Sequence, residues 1–99
     1  MQINKTQNGS NLTIALIGRL DTVTAPQLDA CLAESLDGIT DLCFDFSDLE
    51  YTSSAGLRSL LSAQKKMNAK GGSMKVQKPN DSIAEIFEVT GFSDILTIE

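Results

Sequence analysis

Leu12, Ile14 and Leu16 alternate with Thr13, Ala15 and Ile17, the two-residue period of a strand with one strongly apolar face and one only partly polar. Gln2–Gln7 reads as its neighbour, joined through Asn8-Gly9-Ser10, because an Asn-Gly pair suits the tight turn of a hairpin. After Gly18-Arg19-Leu20-Asp21 the period changes. Thr24-Ala25-Pro26 predicts a helix start, with Thr24 as N-cap and Pro26 tolerated in a first turn whose amides lack intrahelical acceptors. Leu28, Leu32 and Leu36 then recur every four residues, and Gly38 ends the helix.

Leu42–Phe46 predicts a short central strand. Ala55–Ala69 follows as a second helix with Leu57, Leu60, Leu61 and Met67 on one side, stopped by Gly71-Gly72. Met74–Gln77 is the next strand, and Pro79-Asn80-Asp81 breaks it. Ser82–Thr90 predicts a third helix carrying Ile83, Ile86 and Phe87, ended by Gly91, and Ile95–Ile98 a final short strand. The order β-β-α-β-α-β-α-β predicts one α/β domain over residues 1–99. Its sheet is mixed but mainly parallel, with right-handed crossovers and an antiparallel hairpin at its N-terminal edge.

Composition narrows the function. No apolar run approaches the roughly 18–20 residues that cross a bilayer. Met1-Gln2-Ile3-Asn4-Lys5 has neither the basic start nor the apolar block of a signal peptide, so a cytoplasmic domain without membrane insertion is expected. The net charge of −5 argues against a general affinity for nucleic acid or anionic lipid. Lys65, Lys66, Lys70, Lys75 and Lys78 form a local exception with no acid between them, either a solvated helix end and strand or a partner surface. With no histidine in the chain, and Cys31 and Cys43 lacking metal-ligand spacing, no zinc site is expected and both thiols read as buried.

Ser53 and Ser54 fall at the mouth of the second helix, where free amides and the positive end of the dipole favour an anion. Each serine reads as a switch, a cap or a nucleophile. A nucleophile needs a base, usually histidine, and neither Gly-x-Ser-x-Gly nor a Gly-x-x-x-x-Gly-Lys loop is present. Asp45, Asp48 and Glu50 precede the serines as solvated loop acids, so an enzyme is not expected. No capping box is present, since Gly56 and Leu57 stand three residues beyond Ser53 and Ser54. Glycine in a first helical turn costs about 1 kcal/mol relative to alanine, so Gly56 implies close approach by a neighbouring segment or a partner.

Tyr51-Thr52-Ser53-Ser54-Ala55-Gly56-Leu57-Arg58 resembles the signature of STAS-domain anti-sigma factor antagonists. Three further stretches fit: the opening hairpin with Gly18-Arg19-Leu20-Asp21, the helix after Thr24-Ala25, and Phe87-Glu88-Val89-Thr90-Gly91-Phe92. The resemblance covers essentially the whole chain and implies a STAS-like domain that alternates between free and phosphorylated forms. In that family the unmodified domain binds an anti-sigma factor that is also a serine kinase, which releases the sigma factor. Phosphorylation ends the association, and a serine phosphatase resets it.

By motif position the resemblance makes Ser54 the phospho-acceptor and Asp21 the acidic residue near it, with Thr24, Ser53, Gly56 and Arg58 in the partner-binding surface. Where some members carry aspartate before the acceptor and serine after it, this chain has Ser53 and Ala55. The resemblance implies no cofactor in the chain itself; ATP and Mg²⁺ come with the kinase. It also admits a permanent interaction subunit of a larger assembly, such as a lipid-transport ATPase complex, in which Ser54 is never phosphorylated, or an interaction module of another signalling system without a sigma factor.

Overall fold

The computed structural model describes all residues, Met1–Glu99. β1 (Gln2–Asn8) and β2 (Asn11–Leu20) form the expected antiparallel hairpin, with Gly9 in the left-handed conformation its turn requires (φ 65°). The chain continues through α1 (Ala25–Ser35), β3 (Asp41–Asp45), β4 (Leu49–Thr52), α2 (Ser54–Ala69), β5 (Ser73–Gln77) and α3 (Asp81–Thr90). A short 3₁₀ turn (Phe92–Asp94) leads into β6 (Thr97–Ile98). The sheet runs β1-β2-β3-β5-β6 and is parallel beyond the hairpin; β4 pairs with the end of β2.

One strand organises this layout. The first half of β2, Asn11–Ala15, pairs with β3, and its end, Gly18–Leu20, pairs with β4. Register shifts between Gly18 and Arg19, where Gly18 adopts φ 102° and its amide donates to the Asp48 carbonyl (3.2 Å). Such a conformation is open to glycine and strained for other residues, so Gly18 lets one strand pair first with β3 and then with β4.

Burial follows the two-residue period. Leu12, Ile14 and Leu16 of β2, Leu42 and Phe44 of β3, Phe46 just beyond it, and Met74 and Val76 of β5 are buried together. Leu28 and Leu32 of α1, Leu57, Leu60 and Met67 of α2, and Ile83 and Phe87 of α3 complete the same core. Phe46 lies between Phe44 and Phe87, with ring centroids at 6.1 and 6.3 Å. Asn80 fixes the start of α3: its side chain accepts from the Ile83 amide (2.9 Å) and donates to the Leu49 and Glu50 carbonyls (3.1 and 3.2 Å).

Several expectations are corrected. Glu50 lies in a strand, not a loop. β4 has buried ends, Leu49 and Thr52, and an exposed middle, Glu50 and Tyr51, so it carries no period-two signal. The final strand is only Thr97–Ile98, because the preceding 3₁₀ turn carries helical backbone through Ile95. Leu61 is half-buried at the margin of the helical layer. Cys31 is buried as expected, but Cys43 alternates with the core residues Leu42 and Phe44, points to the other face of the sheet and is only half-buried. Partial desolvation there pushes its thiol above the ordinary value, against the pull of Lys75.

Candidate functional site

Two parallel strand ends build the site. Leu20 and Thr52 are register partners at the ends of β2 and β4, and the Ser53 amide donates to the Leu20 carbonyl (2.9 Å). That bond places the loop after β2 beside the turn that enters α2.

Asp21 orders the loop. Its Oδ1 accepts from the amides of Val23 (3.0 Å) and Thr24 (3.1 Å) and lies 3.2 Å from the Thr24 hydroxyl. The Thr24 Oγ1 in turn accepts from the Asp21 amide (2.8 Å) and donates to the Arg19 carbonyl (2.9 Å). These bonds, the Thr24 amide foremost, hold the Asp21 carboxyl below its ordinary 3.8 against partial desolvation, and Arg19 at 3.9 Å adds to the effect. Asp21 is therefore a carboxylate at neutral pH, half-buried and tied into its own loop.

Thr24 occupies the N-cap position of α1, as expected, but its hydroxyl caps nothing. Its backbone is already helical (φ −93°, ψ −21°), and the loop bonds hold the side chain away from the helix amides. The first amide of α1, Ala25, donates instead to the Asp21 carbonyl (2.7 Å), and Pro26 has no amide proton to satisfy.

The two serines separate. Ser53 is the N-cap of α2 in extended backbone (φ −102°, ψ 177°), yet its Oγ is buried and has no hydrogen-bond partner. Ser54 is the first residue of α2 and is exposed. No side chain caps the first turn, so the amides there and the positive helix end stay available next to Ser54.

Gly56 is buried, and the structure identifies what approaches it. A Cβ at this position would stand 2.7 and 2.9 Å from Leu20 Cγ and Cδ2 and would press on Thr52 Oγ1. The contact is internal: α2 rests directly on the ends of β2 and β4. Gly56 thus shapes the site from beneath.

Arg58 is exposed one helical turn after Ser54, without an ion pair. It lines a groove of about 370 Å³ between α1 and α2, together with Thr22, Asp29, Ser62 and Lys66. The sequence had placed Lys66 in a five-lysine run, and the structure divides that run. Lys70 donates to the Leu36 carbonyl and Lys75 pairs with Glu99 (3.7 Å), which leaves Lys65 and Lys66 on α2 and Lys78 just beyond β5. The four-residue spacing of Arg58, Ser62 and Lys66 was the signal for this groove.

A second feature escaped sequence reasoning. The Arg19 guanidinium lies 4.4 Å from the centroid of the exposed Tyr51 ring, a cation–π pair across β2 and β4. Without β4 the register Arg19↔Tyr51 has no basis. No group of three or more carboxylate or thiol side chains gathers to hold a metal ion, and no helix is long and apolar enough to cross a membrane.

The fold and site define an α/β domain of mostly parallel strands, opened by an antiparallel hairpin, with an exposed serine starting its second helix. The chain belongs to the STAS domain family, whose model matches residues 2–99. It is 26% identical over 98 residues to the anti-sigma-B factor antagonist of Bacillus subtilis, covering 99% of this chain and 90% of that protein. It is 28% identical over 97 residues to the anti-sigma-B factor antagonist of Listeria monocytogenes, covering 96% and 84%. Its fold matches the Bacillus cell fate determinant SpoIIAA in the phosphorylated form, with a TM-score of 0.79 at 18% identity over 99% of this chain and 91% of that one.

Proposed function

We propose that the chain is an anti-sigma factor antagonist of the bacterial cytoplasm, a binding protein and not itself an enzyme. Unmodified, it binds an anti-sigma factor that is also a serine kinase, and the sigma factor is released. The kinase transfers the γ-phosphoryl group of ATP to Ser54 Oγ, ADP leaves, and the complex separates. A serine phosphatase hydrolyses the phosphate and resets the cycle.

The observation that carries this reading is the state of the two hydroxyls. Ser54 is exposed at an uncapped helix start, whereas the Ser53 Oγ is buried. A kinase reaches only the first without opening the fold, and the helix end tolerates the product. The names of the relatives support the antagonist role, and a phosphorylated form of SpoIIAA on the same fold fits a phosphorylated state of this chain.

A phosphoserine adds about −1.5 to −2 charges at pH 7. Placed next to the ionised Asp21 loop, it turns a neutral contact into a repulsive one. Reversing a complex from about 99% to about 1% bound takes roughly 5.5 kcal/mol of differential affinity, within reach of one desolvated dianion. Arg58 and the Asp21 loop meet the partner in this reading, with Thr24, Ser53 and Gly56 holding that surface in shape.

Binding of the cognate kinase to the unmodified chain and to the chain phosphorylated by it tests the proposal. The unmodified chain and Ser54→Ala should bind alike, and ATP should release only the former. Equal affinity of the two forms of the chain would contradict it.

A further inference from the structure

In a chain of net charge −5, α2 carries Arg58, Lys65 and Lys66 and no acid at all. Arg58 and Lys66, eight residues apart and so about 12 Å apart along the helix, both line the groove between α1 and α2. Neither forms an ion pair. Three small residues, Ala25, Ala55 and Ser59, also line the groove. Its one carboxylate, Asp29, stands on the α1 side and pairs with neither cation. Lys65 is also exposed but lies outside the groove.

We propose that this groove seats an acidic segment of the protein partner, with carboxylates meeting Arg58 and Lys66. The inference rests on the proposed role of the α2 start and extends that contact two turns along the helix. Opposite charge confined to one groove fixes register and speeds encounter, while the negative surface elsewhere rejects other docking modes. Small residues between the two cations leave room for a main chain to lie down. The same geometry gives phosphorylation a second lever. Arg58 is four residues after Ser54, on the same helix face, and binds phosphate in the fork geometry that suits carboxylate. A phosphate on Ser54 therefore competes with the partner for its guanidinium.

The test measures binding of the purified cognate anti-sigma factor serine kinase to the unphosphorylated full chain by calorimetry, at low and high salt. Lys66→Glu is compared with Lys65→Glu, which makes the same change in net charge outside the groove, and with Ser62→Trp, which fills the groove without changing charge. Melting temperatures verify that each variant folds. Lys66→Glu should weaken binding about tenfold or more and flatten its salt dependence, and Ser62→Trp should also weaken it. Lys65→Glu should stay within about twofold of the parent.

Equal losses in the two lysine variants would show a general charge effect and overturn the groove. Unchanged affinity in Lys66→Glu would overturn it alone, with the proposed function intact. Failure of the parent chain to bind the kinase would overturn the proposed function and the groove with it. Self-association of the parent chain that Lys66→Glu abolishes would make a second copy the occupant and overturn the acidic partner.

Discussion

The amide of Ser53 donates to the carbonyl of Leu20 at 2.9 Å, extending the pairing of β2 with β4 by one bond into the turn that starts α2. Through it the loop ordered by Asp21 and the hydroxyl of Ser54 share one rigid support. Leu20 also packs against Gly56 from below, so a single residue at a strand end fixes both the height and the position of the helix start. The site is a consequence of strand pairing, and disturbing that packing should be felt at Ser54.

Gly56→Ala is the most direct disturbance. In an open helix alanine would stabilise by about 1 kcal/mol over glycine. Here its methyl group would stand under 3 Å from Leu20, and such overpacking costs about 1–3 kcal/mol. The melting temperature should fall, and a rise would contradict the internal role assigned to this glycine.

Asn80 joins α3 to β4 by capping the one and donating to the carbonyls of the other. Asn80→Ala should cost about 1–3 kcal/mol in urea denaturation. Asn80→Asp keeps the acceptor for the Ile83 amide but loses the two donors, so it should fall between alanine and the parent. An aspartate variant as stable as the parent would show that the bonds to β4 contribute nothing.

Asp21 makes stability depend on pH in a defined direction. Because its hydrogen bonds lower its folded value below 3.8, the stabilisation is fully present above that value and is lost as pH falls through the folded value. Asp21→Ala should therefore lower the melting temperature at neutral pH, and its gap to the parent should close on acidification through that range. Asp21→Asn, which retains an acceptor oxygen without the charge, should lose less. A gap that persists into strong acid would mean that the carboxylate does not order this loop.

Most of this architecture was legible in the chain. Alternation in β2, the leucines at four-residue spacing in α1, and glycines at 9 and 91 announced their elements because each local signal agrees with the tertiary packing. β4 was not legible, since four residues with a buried-exposed-exposed-buried pattern become a strand only when β2 passes beside them. With β4 went the pairing of Arg19 with Tyr51, and also the reason for Gly56, which depends on Leu20 and Thr52 meeting beneath it. Thr24 shows the reverse case. Its sequence context reads as a cap, but Asp21 and Arg19 take its hydroxyl first. The difference between Ser53 and Ser54 is likewise a matter of one residue's rotation at a helix start, which spacing does not encode.

The decisive measurement is the identity of the modified hydroxyl. The chain, Ser53→Ala and Ser54→Ala are each incubated with the cognate kinase and Mg²⁺-ATP, followed by intact-mass analysis and fragment mapping. A single phosphate is expected on Ser54 in the parent and in Ser53→Ala, and none in Ser54→Ala. Phosphate on Ser53, phosphate on the Ser54→Ala protein, or no phosphate on any of the three would contradict it, the last in favour of a permanent interaction subunit.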